Sequence, residues 1–342
     1  MKHSGPPRIL VCGGAGFIGS HFAWAACKAF PKSRITVLDN LGFAGVRENL
    51  RGLDRRPGFR FVRGNINDAG TVRRLLGETD LLVNFAAETH VDRSLLAAGT
   101  FLKTGVMGTF NLVEEARRLG TVKRLVLMST DEVYGPVITG AADEESPLKP
   151  SSPYSAAKAG GDLLALSYAR SFGLPVVIPR ACNVYGPRQF PEKVIPLFAT
   201  NAILGLPLPL YGDGRQEREW LHVSDLVRAL LILLRRGEPG RIYNIGSGVW
   251  RRNIAIARAI LARLGRPESL IRRVTDRPGH DRRYALRDAA IRRLGWRPLV
   301  SFAEGLDKTA DWYRDNARWW IPLRRRSAGY FRAQYSGRLG KK

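Results

Sequence analysis

The chain has 342 residues, 44% apolar and 25% charged, with 55 Lys and Arg against 30 Asp and Glu for a net charge of +25. Such a length builds one large or two closely joined domains, and the composition is ordinary for a soluble globular protein. No apolar run reaches the 18 or so residues that span a bilayer, and the Arg residues are spread along the chain without a zinc-finger or RNA-binding signature, so nucleic acid is not the partner expected despite the charge.

From "MKHSGPP" the sequence passes directly into "RILVC" (8–12), which reads as a first core strand and not as a signal peptide. "RITVL" (34–38), "FRFVRG" (59–64), "DLLVNFAA" (80–87), "RLVLMS" (124–129) and "PVVIPR" (175–180) repeat that near-continuous apolar character, which suits a parallel sheet covered on both faces. Helical patterns at 17–30, 68–77, 100–119 and 153–172 lie between them. The alternation predicts an α/β fold with a doubly wound parallel sheet, a Rossmann domain over residues 1–180. After 180 the rhythm breaks. Pro187, Pro191, Pro196, Pro207 and Pro209 mark a loop-rich region, a helix follows at 223–235, and "RIYNIGS" (241–247) reads as a strand returning to the sheet. Residues 181–222 and 248–322, with helices near 253–264 and 302–320, form a smaller interleaved lobe. The basic stretch 323–342 reads as a solvated tail. Cys12, Cys27 and Cys182 have no paired or metal-ligand spacing; reduced, buried thiols in a cytoplasmic protein are expected, and no metal.

"CGGAGFIGS" follows the first strand and opens a helix. Gly14, Gly16 and Gly19 fit G-x-G-x-x-G, while Gly13, Gly16 and Gly19 fit G-x-x-G-x-x-G. Such glycines permit a tight turn and close approach of a pyrophosphate to the helix N-terminus. Asp39 ends the second strand twenty residues after Gly19, where a carboxylate accepts from a ribose 2′-hydroxyl and repels a 2′-phosphate, favouring NAD over NADP. Asn65 and the "FAAE" segment 85–88 fall at strand C-termini, which line the cofactor crevice in such folds.

Two further stretches carry chemistry. "STDEVYG" sets Asp131 and Glu132 side by side at the end of an apolar strand, and "SPYSAAK" sets Tyr154 and Lys158 one helical turn apart. A tyrosine with a pKa near 10 is a poor base at neutral pH, and a lysine there, with the positive nicotinamide ring, stabilises its phenolate. Either pattern alone also fits a surface turn or a packed helix.

Together with "FAAETHVDRS", "NVYGPRQFPEKVIPLF", "LPLYGDGRQEREWLHVSD" and "VTDRPGHDRRYA", these motifs resemble the dTDP-glucose 4,6-dehydratases of the extended short-chain dehydrogenase/reductase family over about residues 8–320. The resemblance implies oxidation of a nucleotide hexose at C4, which makes C5–H acidic, loss of water across C5–C6, and return of the hydride to C6. It assigns Tyr154, with Lys158, as the base at O4, Glu132 as the base at C5, Asp131 as the acid at C6 and Thr130 as a hydrogen-bonding group near O4. A straight strand would turn residues 131 and 132 to opposite faces, so the backbone is expected to bend just past Thr130. The resemblance further implies an NAD site of Gly13, Gly16, Phe17, Ile18, Gly19, Asp39, Asn40, Asn65, Ile66, Phe85, Ala86, Ala87, Thr104, Tyr154, Lys158 and Val184. The nucleoside-diphosphate sugar falls to Thr89, Thr130, Asn183, Lys193, Val194, Pro209, Tyr211, Arg218, Arg277 and His280, with Tyr211 against the pyrimidine.

The sequence departs from the bacterial pattern N-N-Y-G, reading Asn183–Val184–Tyr185–Gly186, and carries Val249 where the family commonly has Asn. UDP-glucose or a UDP-N-acetylhexosamine therefore stays open beside dTDP-glucose, as do a 4-epimerase or decarboxylase and a non-catalytic NAD-binding regulator. The resemblance also implies a homodimer through helices 100–119 and 153–172.

Overall fold

The computed structural model describes residues 5–276 and 281–330. Its strands in chain order are β1 (Arg8–Cys12), β2 (Arg34–Asp39), β3 (Phe59–Arg63), β4 (Leu81–Asn84), β5 (Arg124–Leu127), β6 (Ser129–Thr130), β7 (Val176–Ala181), β8 (Asn183–Tyr185), β9 (Leu208–Tyr211), β10 (Glu217–His222), β11 (Arg241–Ile245), β12 (Trp250–Arg252) and β13 (Ile271–Val274). Eight of them make one sheet in the order β11–β7–β5–β4–β1–β2–β3, with β6 also beside β7, every pairing parallel. Alternate residues serve two cores. Val11, Val37, Val83 and Val126 face one, and Leu10, Leu38, Leu82 and Leu125 face the other. Burial on both faces is why these strands carry few polar residues.

The chain winds from β1 outward to β3, then crosses back to β4 on the other side of β1. Cys12 pairs with both Leu38 and Asn84, so three strands end at one level where the winding reverses. A crevice at that switch point is the ligand site of open α/β sheets.

The helices are α1 (Phe17–Ala29), α2 (Ala69–Leu76), α3 (Val91–Leu96), α4 (Ala98–Leu102), α5 (Gly108–Leu119), α6 (Pro153–Phe172), α7 (Val194–Leu204), α8 (Val223–Arg236), α9 (Asn253–Arg263), α10 (Ala289–Arg293), α11 (Phe302–Asp315) and α12 (Ala317–Arg326). Phe22 of α1 and Leu226 and Leu230 of α8 pack into one core; Val72 of α2, Leu112 of α5 and Ala165 of α6 pack into the other. A third core, with Phe198, Trp220, Ile256, Tyr313 and Trp320, lies under β8–β10–β12 and β9–β13.

Four expectations are corrected. The loop-rich region contains α7, because Pro196 sits in its first turn, where no intrahelical N–H is lost. The span 100–119 is two α-helices joined by a π-helical stretch, Lys103–Met107. The span 302–320 breaks at Asn316, and α12 then runs through 326, so the boundary drawn at 322/323 falls inside a helix. The tail is not wholly solvated: Leu323 and Ser327 are buried.

Candidate active site

One crevice of about 410 Å³ runs along the C-terminal ends of the sheet and into the region built on the third core. At its sheet end lie Gly13, Gly16, Phe17, Ile18, Gly19, Asp39, Asn40, Asn65, Ile66, Phe85, Ala86, Ala87 and Thr104. Gly13 has φ +70, and a Cβ there would stand 2.5 Å from the amide nitrogen of Ala86. A Cβ on Gly19 would stand 2.2 Å from the carbonyl oxygen of Gly13, so this turn closes only without side chains. Gly14 does not line the crevice; it packs against Val37, which leaves G-x-x-G-x-x-G as the pattern that faces the crevice. Gly16 caps α1 without a side-chain bond, so the first N–H groups of the helix meet the crevice.

Asp39 is buried, with one carboxylate oxygen accepting from the Ala15 N–H at 2.9 Å and the other from the Leu41 N–H at 2.8 Å. It ties the glycine turn to the loop after β2. Burial raises its pKa, and the two N–H donors oppose that. The backbone cradle, the bare helix end and the carboxylate fit a dinucleotide without a 2′-phosphate.

The bend past Thr130 is a single 3-10 turn, Asp131–Tyr134. The Thr130 hydroxyl caps it, accepting from the Glu132 N–H at 3.3 Å and donating to Asp131 Oδ1 at 3.1 Å. Gly135 closes the turn at φ +72, where a Cβ would strike the Lys149 carbonyl. Thr130, Asp131 and Glu132 all line the crevice, and so do Tyr154 and Lys158 from α6. Asp131 is 3% exposed, and its Oδ2 has no hydrogen-bond partner among the described residues. Burial, then Glu132 and Glu219, hold its pKa well above the usual carboxylate range against the Thr130 hydrogen bond and Arg218. The direction favours the neutral carboxyl over the carboxylate at this position.

Burial, Glu132 and Asp131 also raise the Tyr154 phenol, while a hydrogen bond to Thr130 lowers it. Burial lowers the Lys158 pKa, and Asp162 opposes. The Lys158 ammonium donates to the Met128 carbonyl at 2.5 Å. Behind it, Asp162 Oδ2 accepts from Ser129 Oγ at 2.8 Å and from Arg180 Nε at 2.9 Å. The Arg180 guanidinium lies 4.8 Å from the Tyr134 ring centroid, and Tyr134 donates to Asn244 Oδ1 at 2.8 Å. One buried ion pair thus grips residues 129 and 134, on either side of the Asp131–Glu132 pair.

Thr89, Asn183, Val184, Lys193, Val194, Pro209, Tyr211 and Arg218 line the remaining part of the crevice. Lys193 N-caps α7, and Tyr211 ends β9 with its hydroxyl donating to Asp92 Oδ2 at 2.9 Å. Arg218 donates to the carbonyls of Glu217, Asp281 and Arg282 and lies 4.6 Å from the Tyr284 ring centroid. Arg277 and His280 lie outside the described residues.

Sequence reasoning missed His90, Asp92, Glu192 and Tyr284, which also line the crevice. Asp92 and Glu192 are 4% and 3% exposed, and Arg93 pairs with Glu192 at 3.0 Å. A buried carboxylate without a local partner in sequence is a signal only once the fold supplies the arginine.

The fold and this constellation define an extended short-chain dehydrogenase/reductase of the nucleotide-sugar type. The model of the GDP-mannose 4,6 dehydratase family matches residues 10–309. A dTDP-glucose 4,6-dehydratase of Streptomyces niveus is 50% identical over 93% of this chain and 96% of its own length. A crystal structure of the Streptomyces venezuelae dTDP-glucose 4,6-dehydratase with NAD and dTDP bound superposes with a TM-score of 0.90 at 50% identity, covering 92% of this chain and 99% of that one. A trifunctional Arabidopsis thaliana protein with UDP-glucose 4,6-dehydratase activity is 43% identical over 92% of this chain and 48% of its own length. The chain belongs to the dTDP-glucose 4,6-dehydratase family, and it is an NAD-dependent hydro-lyase.

Proposed function

We propose that the enzyme converts dTDP-glucose to dTDP-4-keto-6-deoxyglucose through the residues named above. When bound, NAD supplies the hydride acceptor and donor. Tyr154 takes the proton from the C4 hydroxyl, with Lys158 one turn along offsetting the phenolate charge. Oxidation at C4 acidifies C5–H, and Glu132 removes that proton while Asp131 delivers its own to the departing C6 hydroxyl. Glu132 returns the proton to C5 once C6 has been reduced. Over the cycle the proton gained by Tyr154 balances the one lost from Asp131. Thr130 orients O4, and Arg218 and Lys193 match the diphosphate charge.

One arrangement supports the reading above others: a buried carboxyl, its pKa raised by that burial, on the turn that also carries Glu132, in the crevice lined by Tyr154 and Lys158. An epimerase needs no such donor at C6. Val184 and Val249 favour UDP-glucose as a second reading. Incubation with each nucleotide, followed by alkali, separates them. The 4-keto product absorbs, and we expect at least tenfold faster formation from dTDP-glucose. Equal or faster formation from UDP-glucose would reverse the order, and no product from either would remove the dehydratase reading.

We further infer a homodimer through α4–α6. Leu102, Met107, Leu163 and Phe172 on these helices are 49%, 53%, 58% and 56% exposed, more apolar surface than a monomer leaves in one region without cause. The three free, buried cysteines support cytoplasmic residence, which cell fractionation tests.

A further inference from the structure

We propose that residues 317–330 form a strap that retains NAD between turnovers, by fastening the loop after Asp39 to the region carrying α7. The proposal rests on NAD occupying the crevice. The strap touches both sides of the cleft. On one side, Arg324 Nη1 donates to Thr200 Oγ1 at 2.6 Å and to Asn201 Oδ1 at 2.7 Å, both on α7. On the other, Leu323 packs with Val46 and Phe43, and Arg326 donates to the carbonyls of Gly42 and Phe43 at 3.4 and 3.2 Å.

Its most telling contact runs through Asn49, which is 1% exposed. Trp319 Nε1 donates to Asn49 Oδ1 at 3.0 Å, and Asn49 Nδ2 donates to the Ala15 carbonyl at 3.0 Å. Ala15 lies in the glycine turn, and its own N–H reaches Asp39. Three hydrogen bonds therefore link the C-terminal helix to the carboxylate placed for the cofactor's ribose. At the far end Tyr330 stacks on Arg93, 4.1 Å from guanidinium carbon to ring centroid, and Arg93 stacks in turn on Phe43 at 3.4 Å. The loop so fastened, residues 40–45, forms one wall of the crevice.

The chemistry explains why such a closure is useful. The hydride taken from the sugar goes back to it, so the cofactor ends each cycle as it began and has no need to exchange. A crevice wall held in place beside Asp39 would slow cofactor loss without slowing turnover.

The test uses the full-length enzyme carrying Trp319→Ala and Leu323→Ala together, and separately Arg326→Ala, whose exposed side chain can be removed without opening a core. NAD dissociation is followed by fluorescence after dilution, and NAD content is measured after acid release. The proposal predicts at least tenfold faster NAD loss in the double variant and about threefold in Arg326→Ala. At saturating NAD, kcat should stay within twofold and the KM for the nucleotide sugar within threefold. Unchanged NAD loss in Arg326→Ala overturns the strap even if the double variant fails to fold. A fall in kcat at saturating NAD also overturns it, because the helix would then be shaping the catalytic end. If the wild-type protein binds no NAD, the cofactor reading itself fails, which is a different result.

Discussion

At the scale of single residues, Asp131 and Glu132 are separated by environment. Asp131 is pressed into the protein by its place at the start of the 3-10 turn, while Glu132 lies against the crevice, half-buried. The folded state raises the Asp131 pKa, so it binds that proton more tightly than the unfolded chain does. Its contribution to stability is complete below the ordinary carboxylate pKa and is lost as pH climbs through the folded value. Asn is neutral and of the same shape. Asp131→Asn should therefore raise Tm by about 1–3 °C at pH 8 and by less at pH 5, measured by calorimetry. It should also slow dehydration by roughly 10²–10⁴ while C4 oxidation persists as a transient NADH absorbance. Wild-type turnover in this variant would remove Asp131 from the chemistry. In the wild type, activity should fall at high pH as Asp131 loses its proton. The adjacency of the two acids was legible in the sequence, and so was the need for a bend. The raised pKa of Asp131 was not, since it comes from burial, from Glu132 and from Glu219, 88 positions away.

At the scale of elements, the acidic turn stands where it does because Asp162 of α6 and Arg180 of β7 bracket it. Both side chains are 2% exposed or less. Removing one partner leaves an uncompensated buried charge. Asp162→Asn or Arg180→Met alone should cost about 3–5 kcal/mol in urea denaturation, and the double variant should recover much of that. Strictly additive losses would mean that the two side chains do not act as a pair. The apolar strands were readable because burial on both faces removes polar residues from them. Helix α7 was hidden by Pro196, which reads as a loop marker yet is compatible with a helix's first turn. Helix α12 was hidden by its arginines, whose charged heads suggested solvent although Trp320 and Leu323 between them are buried. The interactions of Arg93 with Glu192 and Tyr330 join residues far apart in the chain, so no local pattern announces them.

At the scale of the whole molecule, the exposed apolar residues on α4–α6 predict self-association. Leu163→Asp with Met107→Asp should halve the mass measured by light scattering, and an unchanged mass would place the interface elsewhere. The chain's net charge of +25 attracts a nucleoside diphosphate at long range, so kcat/KM should fall as salt rises. The central claim is that one hexose passes its C4 hydrogen to its own C6 within a single occupied site. It is tested most directly with dTDP-glucose deuterated at C4, by NMR of the product. The account predicts deuterium at C6 of the 4-keto-6-deoxy product. Product that carries no label at C6, or label returned to C4 of an unchanged hexose skeleton, would contradict it.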